Sequence, residues 1–164
     1  MTSAVRIRDV GLPPNSADRA YLEAAMAGLQ EFERPIEPNR RPGAEMAAEH
    51  VAYLLDWATG EGGVLFAEDD QGLAGALVYG VEEADGRYVL PENQRFGYIS
   101  DLWVEPRARR RGVASALIGA AEERLAAAGM KRIEISAIAV NLGAIRAYEA
   151  LGYRRAYVGF DKPL

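Results

Sequence analysis

The sequence predicts a single domain of mixed α/β class over residues 1–164, with helices on both faces of a central mixed sheet. Three observations predict it. Strand-like and helix-like periods alternate along the chain instead of segregating, which points to a sheet and helices packed in layers. Asp69-Asp70-Gln71-Gly72 stands between two apolar runs and reads as an antiparallel hairpin turn. Further on, a strand over Phe96–Val104, a helix from about Gly112 to Ala128 and a strand over Lys131–Ala137 make a βαβ unit. Its two strands are expected to lie parallel, with a right-handed crossover. The length suits one domain with a proper core. The composition, 49% hydrophobic and 26% charged, is that of an ordinary globular chain.

The elements follow in order. Val5-Arg6-Ile7-Arg8-Asp9-Val10 alternates apolar and charged residues and reads as a half-buried first strand. After the turn Gly11–Asn15, Ser16 or Asn15 can cap a helix to about Arg34, with Tyr21, Leu22, Ala25, Met26, Leu29 and Phe32 as its apolar stripe. Pro35, Pro38 and Pro42 break the chain into an irregular loop. A second helix is expected from about Ala44 to Ala58, ended by Glu61-Gly62-Gly63. Val64–Ala67 is a short apolar strand and Leu73–Val81 its hairpin partner. The polar loop Glu82–Arg95 is longer than most connections need. Phe96–Val104 is stopped by Pro106, which has no N–H to donate to a ladder. Val113, Leu117, Ala121 and Leu125 recur at helical spacing, and Gly129 is the expected residue after that helix. Lys131–Ala137 alternates again. Asn141 caps a last helix to Leu151, ended by Gly152, and Tyr153–Phe160 is expected as a final strand.

Charge narrows the function. The net charge is −5, yet Glu105–Arg111 carries four arginines and one glutamate, so the rest of the chain is −8. A nucleic-acid binder spreads basic charge over a face. Positive charge gathered in one loop on an acidic body suits a small polyanion instead, and no nucleic-acid partner is expected. With no cysteine, disulfides, thiolate zinc sites and a cysteine nucleophile are excluded, and no metal site is expected. No apolar run reaches the length of a membrane span. Met1–Arg6 has no apolar leader core. A cytoplasmic location, with no membrane partner, is the expectation.

The arginine loop carries the chemistry. The first N–H groups of a helix lack an intrahelical partner, and the helix dipole adds roughly half a positive charge there. Gly112 removes a side chain where a ligand must approach, and Ala114 and Ser115 stay small one turn in. Arg109, Arg110 and Arg111 can fork onto phosphate oxygens. The bland alternative is a solvated basic turn.

Leu102-Trp103-Val104-Glu105-Pro106, followed by Arg109-Arg110-Arg111-Gly112-Val113-Ala114, resembles the acetyl-CoA signature of the GNAT superfamily of N-acetyltransferases. A second signature of that family matches Asn141, Ala144 and Tyr148 followed by Leu151-Gly152-Tyr153. The resemblance implies a GNAT-like fold, in which the parallel strands Phe96–Val104 and Lys131–Ala137 splay apart around acetyl-CoA. It implies that backbone groups around Leu102 and Val104 pair with the pantetheine arm. The backbone N–H groups of Arg109 to Ala114 would hold the pyrophosphate, and Asn141 would contact the cofactor. An N–H near Leu102 or Trp103 would polarise the acetyl carbonyl. Trp103 would line the cleft or pack in the core. Tyr148 would be the acid that protonates the leaving thiolate; read alone, its spacing fits a core tyrosine equally.

The base is less legible. An amine with a lysine-like pKa of about 10.4 is free base in only roughly one molecule in 2,500 at pH 7, so deprotonation costs about 4–5 kcal/mol. Some family members carry a glutamate where this chain has Ser100. Strand alternation puts Tyr98, Ser100, Leu102 and Val104 on one face and Ile99, Asp101 and Trp103 on the other. Asp101 is therefore a candidate base, directly or through water, or else holds a neighbouring loop by hydrogen bonds; an ordered water chain, Glu134 or another acid stays open. His50 receives no role. Glu31, Glu33 and Glu37 lie near the region that shapes the acceptor pocket in such proteins, but read from sequence they are a solvated face.

The reading is an acetyl-CoA-dependent N-acetyltransferase in which a small-molecule or peptide amine attacks the thioester directly. The alternative is a non-catalytic acyl-CoA-binding regulatory module, motivated by Ser100. The acidic balance speaks against an RNA-directed acetyltransferase, and no early strand carries the glycine pattern of a dinucleotide-binding fold. A homodimer is compatible with the resemblance.

Overall fold

The computed structural model describes residues 5–164. Residues 1–4, part of the stretch read as lacking a leader, lie outside the described residues. The elements are β1 (Arg6–Val10), α1 (Ser16–Glu33), α2 (Gly43–Trp57), β2 (Gly63–Asp69), β3 (Gly72–Glu83), β4 (Arg95–Val104), α3 (Val113–Ala127), β5 (Ile133–Ile135) and α4 (Leu142–Ala150). The sheet order is β1-β2-β3-β4-β5. The first four strands are antiparallel neighbours, and β5 runs parallel to β4, as the βαβ reading requires.

Helices cover both faces. On one, Leu22 and Met26 of α1 and Val51 and Leu54 of α2 bury against Phe66, Val78 and Trp103. On the other, Leu117, Ala121 and Leu125 of α3 bury against Leu65, Leu77 and Ile99. Strands β2 and β3 are apolar on both sides because both sides are covered. Each large apolar side chain so enclosed contributes roughly 1.5–3 kcal/mol of transfer free energy.

Most boundaries agree with expectation within two or three residues. Asn15 caps α1 by accepting from the Asp18 N–H at 2.9 Å. The second helix ends before Glu61-Gly62-Gly63: Ala58 is its cap, Gly60 takes the positive φ, and Gly63 already belongs to β2. The strand expected over Lys131–Ala137 is only three residues long. The expected strand Tyr153–Phe160 does not form. Three residues of β5 offer too little edge to pair with, and Arg154-Arg155 adds adjacent like charges. Residues 153–164 have no regular structure, and Tyr157, Val158 and Phe160 are 78%, 73% and 95% exposed.

Candidate functional site

The short β5 opens the site. Parallel pairing runs only from Gly97↔Ile133 to Ile99↔Ile135. Beyond Ile99, β4 has β3 on one side and, among the described residues, no strand on the other. A cavity of about 300 Å³ fills that gap. Leu102, Trp103 and Val104 line it from β4, Ser136 and Ala137 from the chain leaving β5, and Asn141, Ala144 and Tyr148 from α4. Phe32 and Glu33 close it from the end of α1.

A bulge sets which side chains of β4 face where. Tyr79 pairs with Ile99 and Val78 with Asp101, so Ser100 is an extra residue opposite no partner. The expected alternation is therefore corrected. Ile99 packs with Leu102 and Val104 on the α3 face. Tyr98 meets Trp57 of α2 edge-on, Asp101 meets His50 of α2, and Trp103 packs against α1. Ser100 is turned onto the cavity wall. Trp103 serves both ways, 9% exposed in the core and lining the cavity.

The loop before α3 is shaped for an approaching ligand. Gly112 caps α3 in the left-handed region at φ 81°, and a Cβ there would meet only open space. Arg110, at φ 63°, is the one described non-glycine residue with positive φ, a conformation that costs about 1–3 kcal/mol and clusters at functional turns. The N–H groups of Val113, Ala114 and Ser115 lie in the first turn, where no helical acceptor exists. Val113 itself is buried, Ser115 is exposed and Ala114 reaches the cavity. These unpaired donors, the helix dipole and the open space at Gly112 fit a pyrophosphate.

The arginines are divided. Arg107 grips Asp69 with two bonds of 3.0 and 2.8 Å, and Arg111 stands 3.7 Å from the same carboxylate. That tie holds the loop on the β2–β3 hairpin. Arg109 lies over the rings of Phe32 and Trp103, at 4.9 and 5.0 Å, and donates through Nε to the Val104 carbonyl at 3.1 Å. It therefore occupies an acceptor on the open edge of β4, where an amide of a bound chain would otherwise donate. Arg110 is exposed and makes no ion pair among the described residues.

On α4, the Asn141 side chain accepts from the Ala144 N–H at 3.2 Å, so the cap of the signature is formed. Tyr148, two turns on, faces the cavity and stacks at a tilt on Tyr153, 6.3 Å away. Burial, with the nearby charge of Glu33 and then Tyr98, pushes the Tyr148 phenol up to about 12. It is therefore a neutral donor at pH 7.

The acids fall into two groups. Asp101 does not line the cavity. It accepts from Ser100 Oγ at 2.6 Å, and its other oxygen is 3.0 Å from His50 Nε2. That bond, outweighing burial, raises the His50 pKa. Glu134, the other acid left open, is paired with Arg132. Glu33 is the only carboxylate on the described cavity wall, and its side chain is 15% exposed, not solvated. The sequence gives His50 no role, and it puts Glu33 near the acceptor region only as part of a solvated face. Only depth distinguishes Glu33, and a helix end followed by prolines conceals depth; His50, in the middle of α2, is marked only by its contact with Asp101.

A larger cavity, about 480 Å³, lies between β5 and the segment after Gly152. It shares none of the signature residues except the terminal Leu151-Gly152-Tyr153 and belongs to the space left by the unformed strand. Among the described residues no cluster of three or more His, Asp or Glu is placed to hold a metal, and no helix is long and apolar enough to cross a membrane.

The model of the acetyltransferase (GNAT) family matches residues 26–153. A search of curated protein sequences returns no match. Among solved structures, a tetramutant of the BH1408 protein from Bacillus halodurans superposes with a TM-score of 0.79 at 21% identity, covering 97% of this chain and 99% of that one. An aminoglycoside acetyltransferase, HMB0005, from an uncultured soil metagenomic sample gives 0.68 at 26% identity, covering 98% and 99%. Aminoglycoside N-acetyltransferase AAC(6')-Iy in complex with CoA gives 0.69 at 17% identity, covering 99% and 97%.

Proposed function

The chain belongs to the GNAT acetyltransferase family, and we propose that it transfers the acetyl group of acetyl-CoA to a primary amine by direct attack while both are bound. One observation carries this reading. The β4–β5 pairing stops at Ile99, and the gap it leaves connects open β4 backbone, the α3 N-terminus and Tyr148 in one cavity. Bound there, acetyl-CoA would supply an activated acyl group. The N–H groups of Val113, Ala114 and Ser115 would hold its pyrophosphate. The β4 edge at Leu102–Val104 would pair with its amide-bearing arm, with Arg109 swinging off the Val104 carbonyl. An N–H near Leu102 or Trp103 would polarise the acetyl carbonyl. Tyr148, neutral at pH 7, would donate its proton to the departing thiolate. With no cysteine in the chain, a cysteinyl acyl-enzyme is excluded.

The acceptor is a small molecule or a peptide. Aminoglycosides head the panel because two of the structural relatives are named for them. The test measures acetyl-CoA binding by calorimetry, then free thiol with kanamycin A, spermidine, lysine and a peptide N-terminus. Tyr148→Phe is expected to lower kcat about 100-fold or more without changing the Kd for acetyl-CoA. Absence of acetyl-CoA binding refutes the reading. Binding without turnover by any amine favours the non-catalytic acyl-CoA module, which Ser100 in place of an acid motivates.

A further inference from the structure

The amine must lose a proton, and the position that carries an acid in some relatives is Ser100 here. The cavity contains another carboxylate. Glu33, in the last turn of α1, lies on its wall together with Tyr148 and Ser100. The chain that follows fixes it. Gln30 donates to the Arg41 carbonyl at 2.8 Å and accepts from Arg40 Nη1 at 2.8 Å, folding the proline-rich loop back onto α1. Arg40 Nη2 then stands 2.8 Å from Glu33 Oε2. Glu33 Oε1 makes no hydrogen bond among the described residues and is left for a ligand.

Resting on the acetyltransferase reading, we propose that Glu33 is the catalytic base: its free Oε1 accepts a proton from the acceptor ammonium, in the cavity that Tyr148 also lines. The amine nitrogen then bonds to the acetyl carbon, the C–S bond breaks, and the thiolate takes the Tyr148 proton. The nitrogen of the new amide gives its second proton back to the Tyr148 phenolate, and Glu33 releases its proton to solvent, so one proton is liberated per turnover. The charged surroundings suit the role. Burial raises the Glu33 carboxyl, Arg40 opposes this, and Asp101 of β4 adds to it. Tyr148 feels Glu33 in turn. Arg109 is turned toward Phe32 and Trp103, and His50 toward Asp101.

The test uses the full chain with acetyl-CoA and the amine panel above. Glu33→Gln should lower kcat about 100-fold or more and remove the acidic limb of its pH profile, with the Kd for acetyl-CoA unchanged. Glu33→Asp should restore part of the rate and the limb. The ultraviolet titration of tyrosine, referenced to Y148F and E33Q/Y148F, should show the Tyr148 phenol moving down in E33Q. E33Q turnover matching wild type, an unmoved Tyr148 titration, or loss of the limb in Asp101→Asn but not in E33Q overturns the assignment. If wild type binds acetyl-CoA but no amine releases thiol, the acetyltransferase reading itself fails.

Discussion

At the scale of single residues, the site is decided by which polar groups are tied and which are free. Asp101 has both oxygens engaged, by Ser100 and by His50, so it is built as a bracket between β4 and α2. His50 gains most from that contact when protonated, since the Asp101 bond raises its pKa against the opposing effect of burial. A group whose folded pKa is raised stabilises the fold fully below its unfolded value, about 6.5, and loses that contribution as pH rises through the folded value. His50→Gln is therefore expected to destabilise more at pH 5.5 than at pH 9, in urea unfolding followed by circular dichroism. An equal loss at both pH values would show that the ring acts only by packing. Glu33 is the opposite case: one oxygen is near Arg40 and the other is free. That freedom makes it, and not Asp101, the acid able to exchange a proton with a ligand.

At the scale of elements, α1 and β4 meet at a glycine. A Cβ on Gly28 would lie 2.8 Å from Trp103 Cζ2 and 3.0 Å from Cη2. Glycine inside a helix costs about 1 kcal/mol relative to alanine, whereas overpacking a rigid ring costs about 1–3 kcal/mol. The second effect wins, so Gly28→Ala should destabilise by about 1 kcal/mol in urea unfolding. It should also weaken acetyl-CoA binding, because the displaced ring lines the cavity. A stabilised variant would mean that α1 can slide off Trp103. The same strand shows what the sequence displays and what it hides. Helix caps, the hairpin at Asp69–Gly72 and the βαβ unit follow from local chemistry: a side-chain acceptor at Asn15 or Asn141, a glycine at a turn, an apolar period. The bulge at Ser100 does not, because a period of two has no mark for an extra residue; the skipped pairing exists only against β3. For that reason plain alternation puts Tyr98 and Ile99 on the wrong faces. The length of β5 and the fate of residues 153–160 depend on the available sheet edge, which is a tertiary quantity. The two signature stretches were legible because anion-holding backbone needs glycine, small residues and a helix start in fixed order. The depth of Glu33 is not legible, because it is set by the loop that Gln30 and Arg40 fold over the helix end.

At the scale of the whole molecule, an acidic chain holds itself together by distributing arginines among its carboxylates. Arg8 is the clearest case. It donates to Asp18 at 3.0 and 2.8 Å and to Glu68 at 2.7 Å, and it lies 5.2 Å over the Phe66 ring. One guanidinium thus ties β1 to α1 and β2, while Arg124 ties Asp9 to α3 and Arg107 ties Asp69 to the arginine loop. These bonds lower the carboxyls of Asp9, Asp18, Glu68 and Asp69. A lowered folded pKa contributes stability that is complete above the unfolded value, about 3.9 for Asp and 4.3 for Glu, and disappears as pH falls through the folded one. Between roughly pH 4 and 2 the stability should thus fall steeply, by about 1.4 kcal/mol per pH unit for each proton taken up. Arg8→Met keeps much of the apolar stem over Phe66 but frees Asp18 and Glu68 to titrate nearer their ordinary values. Urea midpoints measured from pH 5 to 2 should then start lower than wild type and decline less steeply. Parallel curves for the two proteins would mean that the Arg8 cluster holds its elements by packing alone, and that the acid sensitivity originates at Asp9 and Asp69.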